Sequence, residues 1–266
     1  MRKILMSWLT APTHDPFESL AIARAAGYAG VGLRLSDPLS GQAATPHVHD
    51  RAARRDFCRA LADTGLVVAE IEARILSRGN GRLIAPEVLE AAAELGNPLL
   101  IAVADQAGTI TLPELLARFA ALAEEAAAFG LTVGFEPIAH RACGNWDEAH
   151  SIVAGVENAA LVLDALHLHR MGVTPEALAR VAPNRLRVFH LCDAPDIPDD
   201  LAGHIDHSAH NRLLPGEGVL PLAGYLAALP EGLPISLEIP MQRLAESLTL
   251  RERAARAITA TRRLTG

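Results

Sequence analysis

Four polar side chains stand at the ends of four successive apolar runs in the second half of the chain. The runs are FEP at 135–137, LDALH at 163–167, FHLCD at 189–193 and LEIP at 237–240, and the residues are Glu136, Asp164, His190 and Glu238. Taken singly, each is more typical of a salt bridge or a structural hydrogen bond. Three carboxylates buried together without a cation would cost several kcal/mol each in desolvation and repulsion. The joint pattern therefore predicts that these residues share one divalent metal ion.

Other polar residues near these runs are candidates for substrate contact. His167, three residues after Asp164, could orient a ligand or contact a substrate hydroxyl, or simply begin a helix. Arg212 offers a fork of donors suited to a carboxylate, a phosphate or vicinal hydroxyls. Asp193 either joins the chemistry or fixes the loop that follows it.

A third candidate group lies at the end of the third apolar run. With a side-chain period of two along a strand, Glu70, Glu72 and Arg74 share one face. If that face looks into the site, Glu70 and Arg74 bind substrate; the alternative is an ordinary Glu–Arg pair.

The elements that must position these residues alternate between strand-like and helix-like segments. The predicted strands are Ile4–Leu9, Val31–Leu35, Val67–Ile71, Leu99–Val103, Leu131–Phe135, Leu161–Leu163, Val188–Leu191 and Ile235–Ile239. The predicted helices are Pro16–Ala26, Asp50–Asp63, Pro86–Leu95, Leu112–Phe129, Trp146–Val153, Pro175–Val181, Leu222–Leu229 and Leu248–Leu264. Eight such units predict a single-domain (β/α)8 TIM barrel over residues 1–266, in which strand ends carry the chemistry. A doubly wound sheet is the alternative, but the Gly-rich phosphate loop it favours after the first strand is absent.

Composition narrows the class of protein. Half of the 266 residues are hydrophobic and only 4% are aromatic, which predicts a large aliphatic core. The formal net charge of -7 and the lack of a basic run argue against nucleic acid. Three scattered cysteines suit a reducing cytoplasm, and the apolar stretch before Pro12 is too short for a signal peptide or a membrane span. We expect a cytoplasmic protein with no membrane partner.

Several pieces of the sequence resemble the xylose isomerase-like TIM-barrel superfamily, in particular its sugar phosphate isomerases and epimerases. They are FEP at 135–137, DALHLHRMG at 164–172, HLCDAP at 190–195, RLLPGEGVLPL at 212–222 and SLEIP at 236–240. Their order and spacing agree with the family over most of the chain. Many relatives that share the DALHL and LCDAP pieces carry Gln where this chain has His190, so the histidine matches the wider superfamily better than that branch.

The resemblance implies a metal ion and a chemistry. It implies Mn²⁺, Mg²⁺ or Co²⁺, with Zn²⁺ as a further option, held by Glu136, Asp164, His190 and Glu238. The two glutamates then also serve as the acid/base pair. His167 and Arg212 match positions that hold substrate oxygens, and many barrels of this kind pair up as homodimers.

The expected function is that of an isomerase or epimerase acting on a small polyhydroxylated keto compound through an enediolate. The substrate would be a sugar, a sugar phosphate or an inosose. The alternative is a dehydratase of the 3-dehydroshikimate or inosose type, since dehydration shares the first proton abstraction. A carboxylated substrate would need a cation such as Arg212 or Arg74. More remote alternatives are an abasic-site endonuclease with three zinc ions and a non-catalytic sugar-binding barrel.

Overall fold

The computed structural model describes residues 2–13, 15–79, 81–198 and 200–265, and within them the chain forms a closed barrel of eight parallel strands. The strands are β1 Ile4–Met6, β2 Gly30–Leu33, β3 Val67–Leu76, β4 Leu99–Ala104, β5 Val133–Glu136, β6 Ala159–Asp164, β7 Leu186–Leu191 and β8 Ile235–Leu237. Each strand pairs with the next, and β8 returns to β1. The predicted (β/α)8 fold is confirmed.

Helices separate the strands and cover the outside of the barrel. They are α1 Pro16–Ala26, α2 Pro46–His49, α3 Arg51–Thr64, α4 Pro86–Glu94, α5 Leu112–Ala127, α6 Trp146–Ala154, α7 Ala165–Arg170, α8 Pro175–Leu178, α9 Leu201–Ile205, α10 Leu222–Ala228 and α11 Leu250–Thr265. In the described ranges, none of these helices has the length and apolar character needed to cross a membrane.

The strands form where apolar side chains can be buried on both faces. Every residue of β4 and of β6 is buried, as expected for a parallel sheet with a filled interior and a helical coat. Ile101, Val103 and Val162 belong to the smaller apolar cluster, while Phe119 and Phe135 pack edge to face in the larger one, with ring centroids 5.7 Å apart. The core is aliphatic with few aromatic anchors, in line with the composition.

Local signals in the sequence set several helix ends. Asp15 caps α1 by accepting a hydrogen bond from the Phe17 N–H at 2.9 Å. Gly27 ends the same helix with a φ of +85°, a backbone conformation that residues with a Cβ seldom adopt. With its two ends fixed in this way, α1 returns the chain to the edge of the barrel where β2 begins.

Several segments depart from the predicted pattern, and three of them lie near the predicted site. β3 runs on to Leu76, with its pairing to β4 shifting register between Ile71 and Arg74. A short helix, α7, begins directly after β6. The loop after β7 contains α9 and one π-helical turn over Asp206–His210. These departures lie on the segments that surround the predicted site.

Asp193 fixes the loop after β7. Its Oδ1 accepts hydrogen bonds from the backbone N–H groups of Ala194 and Leu220 at 2.9 and 3.1 Å, and its Oδ2 accepts one from Gly216 at 2.9 Å. Of the two roles that the sequence allowed for Asp193, the structure supports the one in which it fixes the loop.

Candidate active site

The structure brings the four predicted ligands together at the carboxyl end of the barrel. Glu136 is the last residue of β5, Asp164 and His190 are register partners on β6 and β7, and Glu238 follows β8 directly. One ligand atom from each residue lies within 4.8 Å of the others. All four side chains are buried, with at most 5% of each residue exposed. This geometry suits a single small cation.

Asp164 is positioned by the helix that it caps. Its Oδ1 accepts a hydrogen bond from the backbone N–H of His167 at 3.0 Å, at the start of α7. This bond orients the carboxylate and leaves Oδ2 facing the cluster. The Asp-x-x-His spacing therefore serves two purposes: it caps α7 and brings the His167 side chain to the site.

Arg212 binds two of the four ligands. Its guanidinium donates to Oδ2 of Asp164 at 2.5 Å and to Oε1 of Glu238 at 3.0 Å, while its Nε donates to the carbonyl of Ser208 at 3.0 Å. The sequence predicts that Arg212 binds substrate. Arg212 lines the cavity, and its fork is directed at the carboxylates, where its charge offsets part of their repulsion. Its contact with substrate stays a prediction.

His190 is held from below by Glu70. Its Nε2 lies 2.9 Å from Oε2 of Glu70, and the other oxygen of Glu70 accepts a hydrogen bond from Ser236. A carboxylate on one nitrogen of a histidine fixes the orientation of the ring and makes the other nitrogen a better ligand. The nitrogen that remains, Nδ1, faces the cluster.

The surroundings of this nitrogen fit a metal ion. Nδ1 of His190 is buried without a well-formed hydrogen bond, although it lies against Oε2 of Glu238 and 3.7 Å from Oε1 of Glu136. A buried nitrogen facing carboxylate oxygens is the arrangement expected around a cation. Three carboxylates and one imidazole suit a hard or borderline divalent ion such as Mn²⁺, Mg²⁺, Co²⁺ or Zn²⁺.

The charges of the cluster act on one another strongly. Burial, followed by the charge of Glu238, raises the pKa of Glu136 to about 7. Burial alone would raise the pKa of Glu238, but Arg212 and His190 outweigh it and lower that pKa to about 2. Burial opposes the charged form of His190, yet Glu238 and Glu70 raise its pKa well above the ordinary value. The two glutamates thus differ in how readily they hold a proton.

The prediction for the third strand requires correction. Among the described residues, neither Glu70 nor Arg74 lines the cavity above the cluster, whereas Glu72 does. Glu70 lies deeper and supports His190. The register shift turns Arg74 away from the cavity, and its guanidinium donates to backbone carbonyls, including Pro38 at 2.7 Å. A bulge of this kind cannot be recognised from side-chain alternation alone.

A cavity of about 630 Å³ opens above the cluster. Its walls combine apolar side chains with polar groups, which include Arg34, Arg141, His140 and His167. Burial lowers the pKa of His167 to about 3 and that of His140 to about 4, so both rings are neutral. His167 is bonded to Ser208 through Nε2 at 3.3 Å, while its Nδ1 is buried without a partner. The sequence did not single out Arg34, His140 or Arg141.

Comparison with known proteins identifies a family for most of the chain. Residues 20–264 match the family described as xylose isomerase-like TIM barrel. A 3-dehydroshikimate dehydratase of Pseudomonas aeruginosa is 30% identical over 237 residues, which cover 84% of this chain and 36% of that protein. An inosose isomerase of Bacillus subtilis is 31% identical over 114 residues, covering 41% of this chain and 39% of that protein.

The same fold occurs in a crystal structure of the IolI protein with a bound zinc atom. The two structures superpose with a TM-score of 0.80 at 20% identity, covering 98% of this chain and 97% of the other. The matches to the two curated relatives, in contrast, extend over less than two fifths of their lengths, 36% and 39%. The similarity in structure therefore bears on the fold, and activity has to be argued from the site.

Replacing Glu70 tests its support of His190. We expect Glu70→Gln to weaken Mn²⁺ binding about tenfold or more, because the His190 ring loses the anion that orients it. Glu72→Gln is the matched control. Burial and the charge of Glu238 raise the pKa of Glu72 to about 8, so an amide resembles its protonated form. Competition with a fluorescent chelator measures both affinities, and equal losses in the two variants would contradict the assigned role.

Metal binding should also depend on pH. Protons compete with the ion for Glu136, whose pKa is about 7, and for His190, whose pKa is raised. Affinity should therefore fall as the pH drops below 7, by about tenfold per unit for each proton displaced. Calorimetry in buffers of different ionisation enthalpy should detect proton release on binding at pH 7. Binding that releases no protons would contradict the ligand set.

Proposed function

Because the chain belongs to the xylose isomerase-like TIM-barrel family, we propose that it is a divalent-metal-dependent isomerase or epimerase of a small polyhydroxylated keto compound. The observation that carries this proposal is the convergence of Glu136 and Glu238 on one buried cluster at the floor of a cavity. Two carboxyl groups with different proton affinities, beside a cation site, can act as the general base that removes a proton from carbon and the general acid that returns it.

The proposed reaction begins with removal of the proton next to the substrate carbonyl. When bound, the divalent ion would stabilise the negative charge that develops on the oxygens of the enediolate. One of the two glutamates takes the proton and the other returns it, to the neighbouring carbon for isomerisation or to the opposite face for epimerisation. Arg212 keeps Glu238 ionised, while Glu136 holds a proton more readily.

The rest of the cavity supports a polyhydroxylated substrate. Neutral His140 and His167 can donate or accept hydrogen bonds with hydroxyl groups without adding charge. Apolar walls, including Ile101, Val103 and Ile138, keep water from the reacting carbon. This environment protects an enediolate from protonation by solvent.

Dehydration is the second candidate. After the same proton abstraction, a hydroxyl group on the β-carbon would leave as water, with its proton supplied by the second glutamate. The Pseudomonas aeruginosa relative that matches 84% of this chain is a 3-dehydroshikimate dehydratase. The cavity wall contains Arg34, which forms no salt bridge with any described residue and could bind the carboxylate of such an acid.

An endonuclease with three metal ions is less well supported. Over the described residues, the metal-ligating groups form one compact cluster, that of Glu136, Asp164, His190 and Glu238. The formal charge of -7 also disfavours a nucleic-acid substrate. The cytoplasmic location and the homodimer stay predictions.

Solvent isotope exchange tests the proposed first step. Mn²⁺-loaded protein in D₂O should place deuterium next to the carbonyl in at least one member of a panel of ketoses, inososes and 3-dehydroshikimate, followed by NMR. Glu136→Gln and Glu238→Gln, measured at saturating Mn²⁺, should each slow exchange by about 10²-fold or more.

The exposed Glu157 provides the control for that experiment. Glu157→Gln removes a carboxylate far from the cluster and should leave the exchange rate unchanged. A metal-loaded protein that exchanges no proton in any member of the panel would contradict the proposal.

A further inference from the structure

Arg34 is a cation in the cavity wall that forms no salt bridge with any carboxylate among the described residues. It follows β2 and lines the same cavity as Glu72 and Glu238. Within the described ranges its guanidinium forms neither a hydrogen bond nor a salt bridge, and its Nε is buried without a partner. Buried or half-buried arginines are normally paired, so this one has donors available for a ligand.

The position of this guanidinium is set by an aromatic ring, without using its donors. Its Cζ lies 3.7 Å from the ring centroid of Trp8, in a stacked cation–π contact. Trp8 is itself anchored, since its backbone N–H donates to Oε1 of Glu72 at 2.7 Å and its indole N–H donates to the carbonyl of Thr13 at 2.9 Å. The N–H groups at the edge of Arg34 therefore form a preorganised fork.

The nearby carboxylates do not neutralise Arg34. Glu72, Glu238 and Asp37 exert the strongest attraction on it, yet burial outweighs them and lowers its pKa. None of the three forms a salt bridge with it: Glu238 is paired with Arg212, and Asp37 accepts hydrogen bonds from its own turn. The positive charge of Arg34 is left facing the cavity.

The other arginines near the cavity are engaged elsewhere. Arg212 binds Asp164 and Glu238, and with a divalent ion bound it would balance the three carboxylates of the cluster. Arg141 is tethered through one nitrogen to the carbonyl of Ala104 at 3.0 Å, and Arg74 is turned away. Among the described arginines that line the cavity, Arg34 is thus the one whose guanidinium donates no hydrogen bond to the protein.

We infer that Arg34 binds the carboxylate of the substrate, so that the enzyme acts on a small hydroxylated keto acid in preference to a neutral ketose or inosose. This inference rests on the proposed function of the same site. A carboxylate matches one planar fork through two parallel hydrogen bonds. A phosphate dianion presents three oxygens and would need further donors, which Arg34 alone does not supply.

Binding of a matched pair of ligands tests the inference without turnover. Shikimate has the hydroxyl groups and the carboxylate of 3-dehydroshikimate but no ketone, and its methyl ester differs in lacking the charge. Calorimetry on the Mg²⁺-loaded protein should show that shikimate binds about 10- to 100-fold more tightly than the ester. Arg34→Met keeps an unbranched chain against Trp8 and should abolish this preference while leaving the affinity for the ester within about threefold. Arg34→Lys should restore part of the preference for shikimate over the ester, because it keeps the positive charge but not the planar fork.

Arg141→Met is the matched control, because it removes a second cation from the same wall and should preserve the preference for the acid. Metal content and thermal midpoint verify that each variant is folded. The inference is overturned if the native protein binds acid and ester alike or binds neither, if Arg34→Met keeps the preference, or if Arg141→Met is the variant that loses it. Fructose 6-phosphate serves as the phosphorylated probe. The inference would also be overturned if Arg34→Met weakened the binding of fructose 6-phosphate but not that of shikimate.

The two proposals can fail separately. If no panel member exchanges its proton but shikimate binding still depends on Arg34, the proposed function fails and the carboxylate subsite stands. If neutral ketoses exchange readily and Arg34→Met changes neither exchange nor binding, the subsite fails and the proposed function stands.

Discussion

Three carboxylates buried around one point constrain the rest of this structure. Glu136, Asp164 and Glu238 lie almost wholly buried at the floor of a cavity, where ionised carboxylates are costly unless positive charge is close by. Arg212 supplies one unit through its contacts with Asp164 and Glu238. Its single charge does not match that of three ionised carboxylates. Burial, followed by the charge of Glu238, raises the pKa of Glu136 to about 7. A divalent cation would neutralise the remaining negative charge, which is why the cluster fits a metal site.

The barrel holds these charged groups in fixed positions relative to one another. Parallel strands place their carboxyl ends at one edge, and the register of β6, β7 and β8 sets Asp164, His190 and Ser236 side by side. Supporting contacts come from below and from the side: Glu70 orients His190, and α7 orients Asp164. The apolar strands around them supply the stability that this polar floor does not.

The sequence predicts the fold and the four cluster residues well because both depend on strong local patterns. Apolar runs of strand length, ended by polar residues, locate the strand ends and hence the cluster. The roles of Glu70, Arg74 and Arg34 depend on tertiary detail. A register shift between Ile71 and Arg74 sets where Arg74 points, contact with His190 sets the role of Glu70, and Trp8, distant in sequence, positions Arg34. The sequence contains one indication that Arg34 has a function, since this arginine interrupts an otherwise apolar run. The alternation of side chains along a strand does not show, however, which face of the strand lines a cavity.

The proposed chemistry requires that one ion be held by four side chains. Anomalous diffraction from crystals soaked in Mn²⁺, collected at the manganese absorption edge, tests this directly. We predict one strong peak per chain, in contact with carboxylate oxygens of Glu136, Asp164 and Glu238 and with Nδ1 of His190. A fully soaked crystal with no peak at this cluster, or with its peak at another place on the molecule, would contradict the account.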